Sequence, residues 1–108
     1  MRPARLGRRA AFRRLAASSV RARSGPVGVR WAPPGDLPVV AVGFAVTTRQ
    51  GSAVVRNRMR RRVRGIVAEA GSVWPPGDYL ITLEAPVATM AHGKLRDHVE
   101  RAVTLLHR

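Results

Sequence analysis

The sequence predicts an α+β sandwich, with helices packed on one small sheet in a single domain spanning 1–108. Three observations predict it. In residues 53–70 the apolar positions are Val55, Met59, Val63, Ile66, Val67 and Ala70. At helical pitch they form one stripe roughly 120° wide. Residues 38–47 alternate instead: Val40, Val42, Phe44 and Val46 point one way, and Val39, Ala41, Gly43, Ala45 and Thr47 the other. Residues 93–107 return to helical spacing with Leu95, Val99, Ala102, Val103 and Leu106. A chain of 108 residues that is 45% hydrophobic has one modest core, not two.

The elements follow in order. Residues 1–7 contain Pro3 and Gly7 and are expected to be an extended, flexible basic arm. Residues 8–18 fit a short helix with Phe12 and Leu15 on one stripe. Residues 20–26 form a basic link containing Ser24, Gly25 and Pro26, and 27–31 a short strand. Pro33, Pro34 and Gly35 force a turn. The strand at 38–47 has one bulky face that needs helices on it. Its other face is small, so either a second layer packs there or something else approaches the backbone closely, as Gly43 in mid-strand allows. Thr48 to Gly51 is a loop, and Ser52 is placed to cap the helix at 53–70, with Gly71 as its C′ residue. A second proline turn at 74–78 leads to a strand at 79–84 and, after a connection, to the helix at 93–107. The order is α-β-β-α-β-α, with room for one more short strand between 20 and 50.

The charge is unevenly spread. Twenty basic residues against six acidic ones leave a net charge of +14, and all the basic residues but Lys94 are arginine. Residues 1–24 carry +8 and residues 56–64 (RNRMRRRVR) carry +6, while residues 65–108 come to −1. Two cationic blocks in an otherwise balanced domain form a binding footprint for something anionic. Arginine's planar fork suits phosphate and stacks on bases. A membrane-surface helix would need large apolar anchors, and no aromatic residue lies in 53–70. Nucleic acid is therefore the expected partner, with no membrane role. On the helical wheel Arg56, Arg60 and Arg64 flank the apolar stripe on one side, and Arg58 and Arg62 on the other. Asn57 and Arg61 face outward. Replacing Arg58 and Arg62 together is thus expected to weaken binding and leave the fold intact.

Several function classes drop out. The chain has no cysteine, hence no disulfide, thiol nucleophile or Cys-ligated zinc. His92, His98 and His107 fall in no metal-ligand spacing, and phosphate-cradling glycine loops are absent. Asp97 and Glu100 fit a solvated helix face with local ion pairing. No protein-borne catalytic centre and no protein metal site are expected. Asn57, a poor helix former among arginines, can both donate and accept, and so can bridge a phosphate or 2′-hydroxyl and a neighbouring side chain.

Residues 51–64 (GSAVVRNRMRRRVR), preceded by the strand VGFAVTT, resemble the signature of the bacterial ribonuclease P protein subunit. Arg5-Leu6 followed by Phe12, the Pro75-Pro76-Gly77-Asp78-Tyr79 entry to a strand and the closing amphipathic helix are also similar, so the likeness covers nearly the whole chain. The resemblance implies an αβββαβα fold with a left-handed βαβ crossover carrying the signature helix. It implies a cytoplasmic subunit, monomeric without RNA, that binds a catalytic RNA and the 5′ leader of precursor tRNA. The leader is then cut off to leave a 5′-phosphate, with chemistry carried by the RNA and Mg2+ bound mainly there. Arg56, Asn57, Arg58, Arg60, Arg61, Arg62 and Arg64 match the signature and its basic continuation, and are assigned to the catalytic RNA. A leader cleft between the first helix and the sheet would use Phe12 for stacking, with Arg8, Arg9, Arg13, Thr47, Thr48 and Arg49 around it. The family's second helix-borne phenylalanine is Ala16 here, and Trp31 has no secure register against its first-strand aromatic.

Other readings compete. A small ribosomal or other structural RNA-binding protein explains the composition equally well. A free-standing protein nuclease would need to cleave without RNA. A duplex-DNA reader would need a helix-turn-helix pair, which is not evident. The acid-free N-terminal stretch could serve as a mitochondrial transit peptide.

Overall fold

Strong two-residue alternation makes strands here, and the strands share one sheet. A computed structural model describes residues 4–5, 13, 15–18, 20–35 and 37–108. The rest of the arm, together with Arg8, Arg9 and Phe12, lies outside the described residues. The strands are β1 (Ala4–Arg5), β2 (Arg21–Ser24), β3 (Val27–Ala32), β4 (Val40–Val46) and β5 (Gly77–Leu83). Helix α1 (Ala53–Ala70) lies between β4 and β5, and α2 (His92–Leu106) ends the fold. The sheet order is β1-β4-β5-β3-β2. β4 runs parallel to β1 and β5, whereas β3 is antiparallel to β2 and β5, giving a mixed sheet. β4, α1 and β5 make a βαβ unit on parallel neighbours.

The two sheet faces differ as the alternation requires. Val27, Val29, Val42, Val46, Tyr79, Ile81 and Leu83 share one core with α1 and α2. From α1 come Met59, Val63, Ile66, Val67 and Ala70, and from α2 Leu95, Val99, Ala102 and Val103. On the other face Leu15, fully buried, packs with Leu80 against Ala32, Ala41 and Ala45. The small face of β4 thus takes a second layer: Arg13, Leu15 and Ala16 are helical, and alanines let that turn come close. Ser18 fastens the turn to the sheet, its hydroxyl donating to Trp31 O at 2.9 Å and its carbonyl accepting from Arg30 Nη1 at 2.7 Å.

Two expectations are corrected. Residues 21–24, read as link, are a strand paired residue for residue with β3, from Arg21 opposite Arg30 to Ser24 opposite Val27. Gly25 at φ 55° begins the two-residue turn between them, the positive φ that a tight hairpin of this kind needs at its first central position. Gly71 caps α1 but stays right-handed at φ −72°, ψ −16°, and runs on into a 3-10 turn at Gly71–Val73 in place of a left-handed stop.

Where the ends of α1 and α2 approach the sheet, Trp31, Trp74, Tyr79 and His107 cluster, with Trp31 and His107 edge to face at 5.2 Å. The Tyr79 hydroxyl donates to Pro75 O, which can only accept, so its 2.8 Å contact with His107 Nε2 is a bond received from the imidazole. Burial raises the Tyr79 pKa and lowers that of His107.

Candidate nucleic-acid interface

Helix α1 is held by its apolar side and presents its charge on the other. Ser52 caps it, accepting from Val55 N at 3.3 Å. Asn57, Arg58, Arg61 and Arg64 are exposed, while Arg56 and Arg60 are half-buried. Arg60 Nη1 donates to Asn57 Oδ1 at 2.9 Å. That bond commits the amide's oxygen and leaves its NH2 free to donate outward. Like charges four residues apart (Arg56 and Arg60, Arg58 and Arg62, Arg60 and Arg64) disfavour the helix. Among the described residues no carboxylate pairs with them; the ion pairs are Arg23–Glu84, Arg96–Glu69 and Arg96–Glu100. An uncompensated cationic ridge on a rigid helix sets up a positive field that attracts anions.

Arg62 stands apart. Its Nη2 donates to Met90 O at 2.7 Å and its Nη1 to Val87 O at 3.2 Å. The half-buried guanidinium therefore clamps the connection between β5 and α2. The expectation that Arg62 can be removed without touching the fold is corrected: its flank of the helix is covered by that connection. Gln50, 4% exposed, holds the same connection from the other side. It donates to Ala85 O at 2.7 Å and accepts from Val87 N at 3.1 Å.

A second cationic surface lies on the small-residue face of the sheet. Arg21, Arg23 and Arg30 line a cavity of about 350 Å³ with Gly28, Thr82 and Glu84. Beside it, a cavity of about 500 Å³ is lined by Thr47, Thr48 and Arg49, again with Arg23, Thr82 and Glu84. The two share a wall and make one trough. Thr47, Thr48 and Arg49 are thus brought together along one wall of it. Arg13 is exposed on the helical turn above the same face, and Arg8, Arg9 and Phe12 lie outside the described residues. Sequence reasoning missed Arg21, Arg23, Arg30 and Thr82. The signal available was the R-A-R alternation of 21–23, which puts both arginines on one face of a strand. Trp31 packs on the opposite, core face, and so does not line the trough.

Among the described residues no three His, Asp or Glu side chains gather so as to hold a metal ion. No described helix is long and apolar enough to cross a membrane.

The family model described as Ribonuclease P matches residues 1–107 of this chain. The chain belongs to the ribonuclease P protein family. Among curated relatives, the ribonuclease P protein component of Streptomyces bikiniensis is 36% identical over 76 residues, covering 69% of this chain and 62% of that protein. That of Geobacillus sp. is 35% identical over 77 residues, covering 68% and 66%. The match with these relatives thus spans less than two thirds of their length. The RNase P protein of Staphylococcus aureus superposes with a TM-score of 0.83 at 19% identity, covering 94% of this chain and 93% of that one. The RNase P protein of Thermotoga maritima gives 0.81 at 20% identity, covering 92% and 94%. These likenesses establish the ribonuclease P protein fold for the mixed sheet and its helices.

Proposed function

We propose that the chain is the protein subunit of a ribonuclease P ribonucleoprotein. In this reading the α1 ridge (Arg56, Asn57, Arg58, Arg60, Arg61 and Arg64) binds the catalytic RNA. Arg62 takes part through the loop it holds. The trough on the sheet's small face holds the 5′ leader of precursor tRNA as a single strand, with Arg13, Arg21, Arg23, Arg30 and Arg49 around it. Phe12, with Arg8 and Arg9, belongs to the same reading. The carrying observation is the arginine run of α1: six arginines within nine residues, Arg62 included, unpaired with any carboxylate among the described residues, in a chain of this family. Such a surface gains most from a dense polyphosphate.

The protein's own contribution is binding. Arginine forks neutralise phosphates that would otherwise repel one another where leader and catalytic RNA meet, so the substrate is held and the affinity of the assembly for Mg2+ rises. Mg2+, carried mainly by the RNA, supplies activation of the attacking water. Hydrolysis leaves the 5′-phosphate on the tRNA. The test is precursor-tRNA cleavage by the catalytic RNA at low Mg2+, with and without the purified chain. The expected result is a specific gain with the chain and no cleavage by the chain alone. No gain favours a ribosomal or other structural RNA-binding protein, and cleavage without RNA a protein nuclease.

A further inference from the structure

His98 stands half-buried on the flank of α2 and reaches the sheet at its margin. The strand it meets, β2, is the last on that side of the sheet and bonds only to β3. β2 carries Arg21 and Arg23 on its trough face, and alternation turns Ala22 and Ser24 to the other face, toward α2. There the buried Ser24 places its Oγ 2.9 Å from His98 Nδ1. The imidazole also lies against the turn: a Cβ on Gly25 would fall 2.7 Å from its Cε1 and 3.0 Å from Nδ1. From the β5 side, the N–H of Glu84 donates to Pro26 O at 2.7 Å. The tip of the β2–β3 hairpin is thus pinned between α2 and the end of β5. Arg23 takes its direction from that tip. Its Nε donates to Gly25 O at 3.0 Å and lies 3.0 Å from Glu84 Oε2. Both contacts engage the inner nitrogen, and no described residue accepts from the two terminal ones. The terminal edge of the fork, which suits phosphate, is therefore left for a ligand of the trough. The Arg23 side chain is 66% exposed, and an ion pair so open to water fixes it only weakly. Its aim depends on where the Gly25 carbonyl stands.

We propose that His98 is a positioning residue for the trough: through Ser24 it fixes the β2–β3 turn, and the Gly25 carbonyl of that turn aims the Arg23 guanidinium at a phosphate of the bound strand. This rests on the trough being the leader site. His98 lies on the opposite side of the sheet and touches no substrate. Its part is to hold the turn before the strand arrives, so that Arg23 is already oriented and loses less freedom on binding. Without the Ser24–His98 bond, an edge strand that pairs on one side only leaves its tip free to shift, and the carbonyl that steers Arg23 shifts with it. The ridge on α1 draws nothing from this bond, so binding of the catalytic RNA is independent of it.

The test uses the full chain assembled with the catalytic RNA, at one pH and salt concentration and with cleavage suppressed. It reads the affinity for precursor tRNA relative to mature tRNA, which isolates the leader. R23A should lower that ratio. S24A and H98F should each lower it about threefold to fivefold, the order of one net hydrogen bond. Neither should lower it further in the R23A background, because both act through Arg23. H98N, whose amide can accept or donate at the place of Nδ1, should return the ratio to within about twofold of the parent. Affinity for mature tRNA and for the catalytic RNA should not move. If H98F melts well below the parent, S24A, which breaks the same bond and leaves α2 untouched, decides alone. A ratio that S24A leaves unchanged while R23A lowers it overturns the positioning role and leaves the trough as leader site. A loss shared equally by precursor and mature tRNA, or one that adds to that of R23A, makes the bond merely structural and overturns it too. A ratio that R23A/R30A does not lower overturns the leader site itself.

Discussion

Arg58 and Arg62 sit four residues apart on the same flank of α1, yet the structure predicts opposite consequences for losing them. Arg62 makes two charge-assisted hydrogen bonds, to Met90 O at 2.7 Å and Val87 O at 3.2 Å. Bonds to a charged donor contribute about 1.5–3 kcal/mol each. Arg62 is only half-buried and water screens part of each bond, so R62A is expected to cost less than the two bonds' sum, about 2–4 kcal/mol. In a domain of this size that lowers the melting temperature by roughly 10–20 °C. Arg58 is exposed and makes no bond to a described side chain or carbonyl, so R58A should change stability by less than about 0.5 kcal/mol. Thermal and urea unfolding of both variants, followed by binding to the catalytic RNA well below each melting temperature, separates the two roles. R58A should melt with the parent and bind more weakly. An R62A variant that melts with the parent would refute the clamp, and with it the division of the ridge into RNA-facing and fold-facing arginines.

Two further outcomes follow from one buried and one half-buried polar group, Gln50 and His107. Q50A strands the Val87 N–H and Ala85 carbonyl that Gln50 satisfies, and should destabilise by about 2–3 kcal/mol, read as a lower urea midpoint. An unchanged midpoint would show that the β5–α2 connection does not depend on it. Burial lowers the His107 pKa below its ordinary 6.5, so the folded state favours the neutral ring. Its contribution is full above that ordinary value and is lost as pH falls through it toward the folded pKa, because the unfolded chain takes up the proton first. The urea midpoint should fall between pH 7.5 and 5, and H107N should flatten that decline; an equal decline in H107N assigns it to other groups.

Much of the fold is legible in the sequence because the helices carry a strong period. The apolar stripe of 53–70 sets both ends of α1, and Ser52 marks its start. The less legible parts depend on partners distant in the chain. β2 is hidden by its Ser-Gly-Pro ending, and its pairing comes from β3 rather than from any apolar run of its own. A helical wheel places Arg62 beside the stripe but carries no word of the segment at 87–90 that folds over it. Gln50 looks like an ordinary loop residue until the sheet brings Leu83 and Ala85 to it. At the site, the ridge is legible as a run of arginines in one helix. The trough is not, because Arg21, Arg23, Arg30 and Arg49 come from separate segments and meet only across strands.

Salt dependence of binding to the catalytic RNA, measured for the parent and for R58A/R61A/R64A, tests the ridge most directly. If about six phosphates are neutralised, log K should fall against log[salt] with a slope of magnitude about 4–5, and the triple variant should lower that magnitude by about 2 while melting with the parent. A flat salt dependence, or a triple variant with the parent's slope and affinity, would contradict the account.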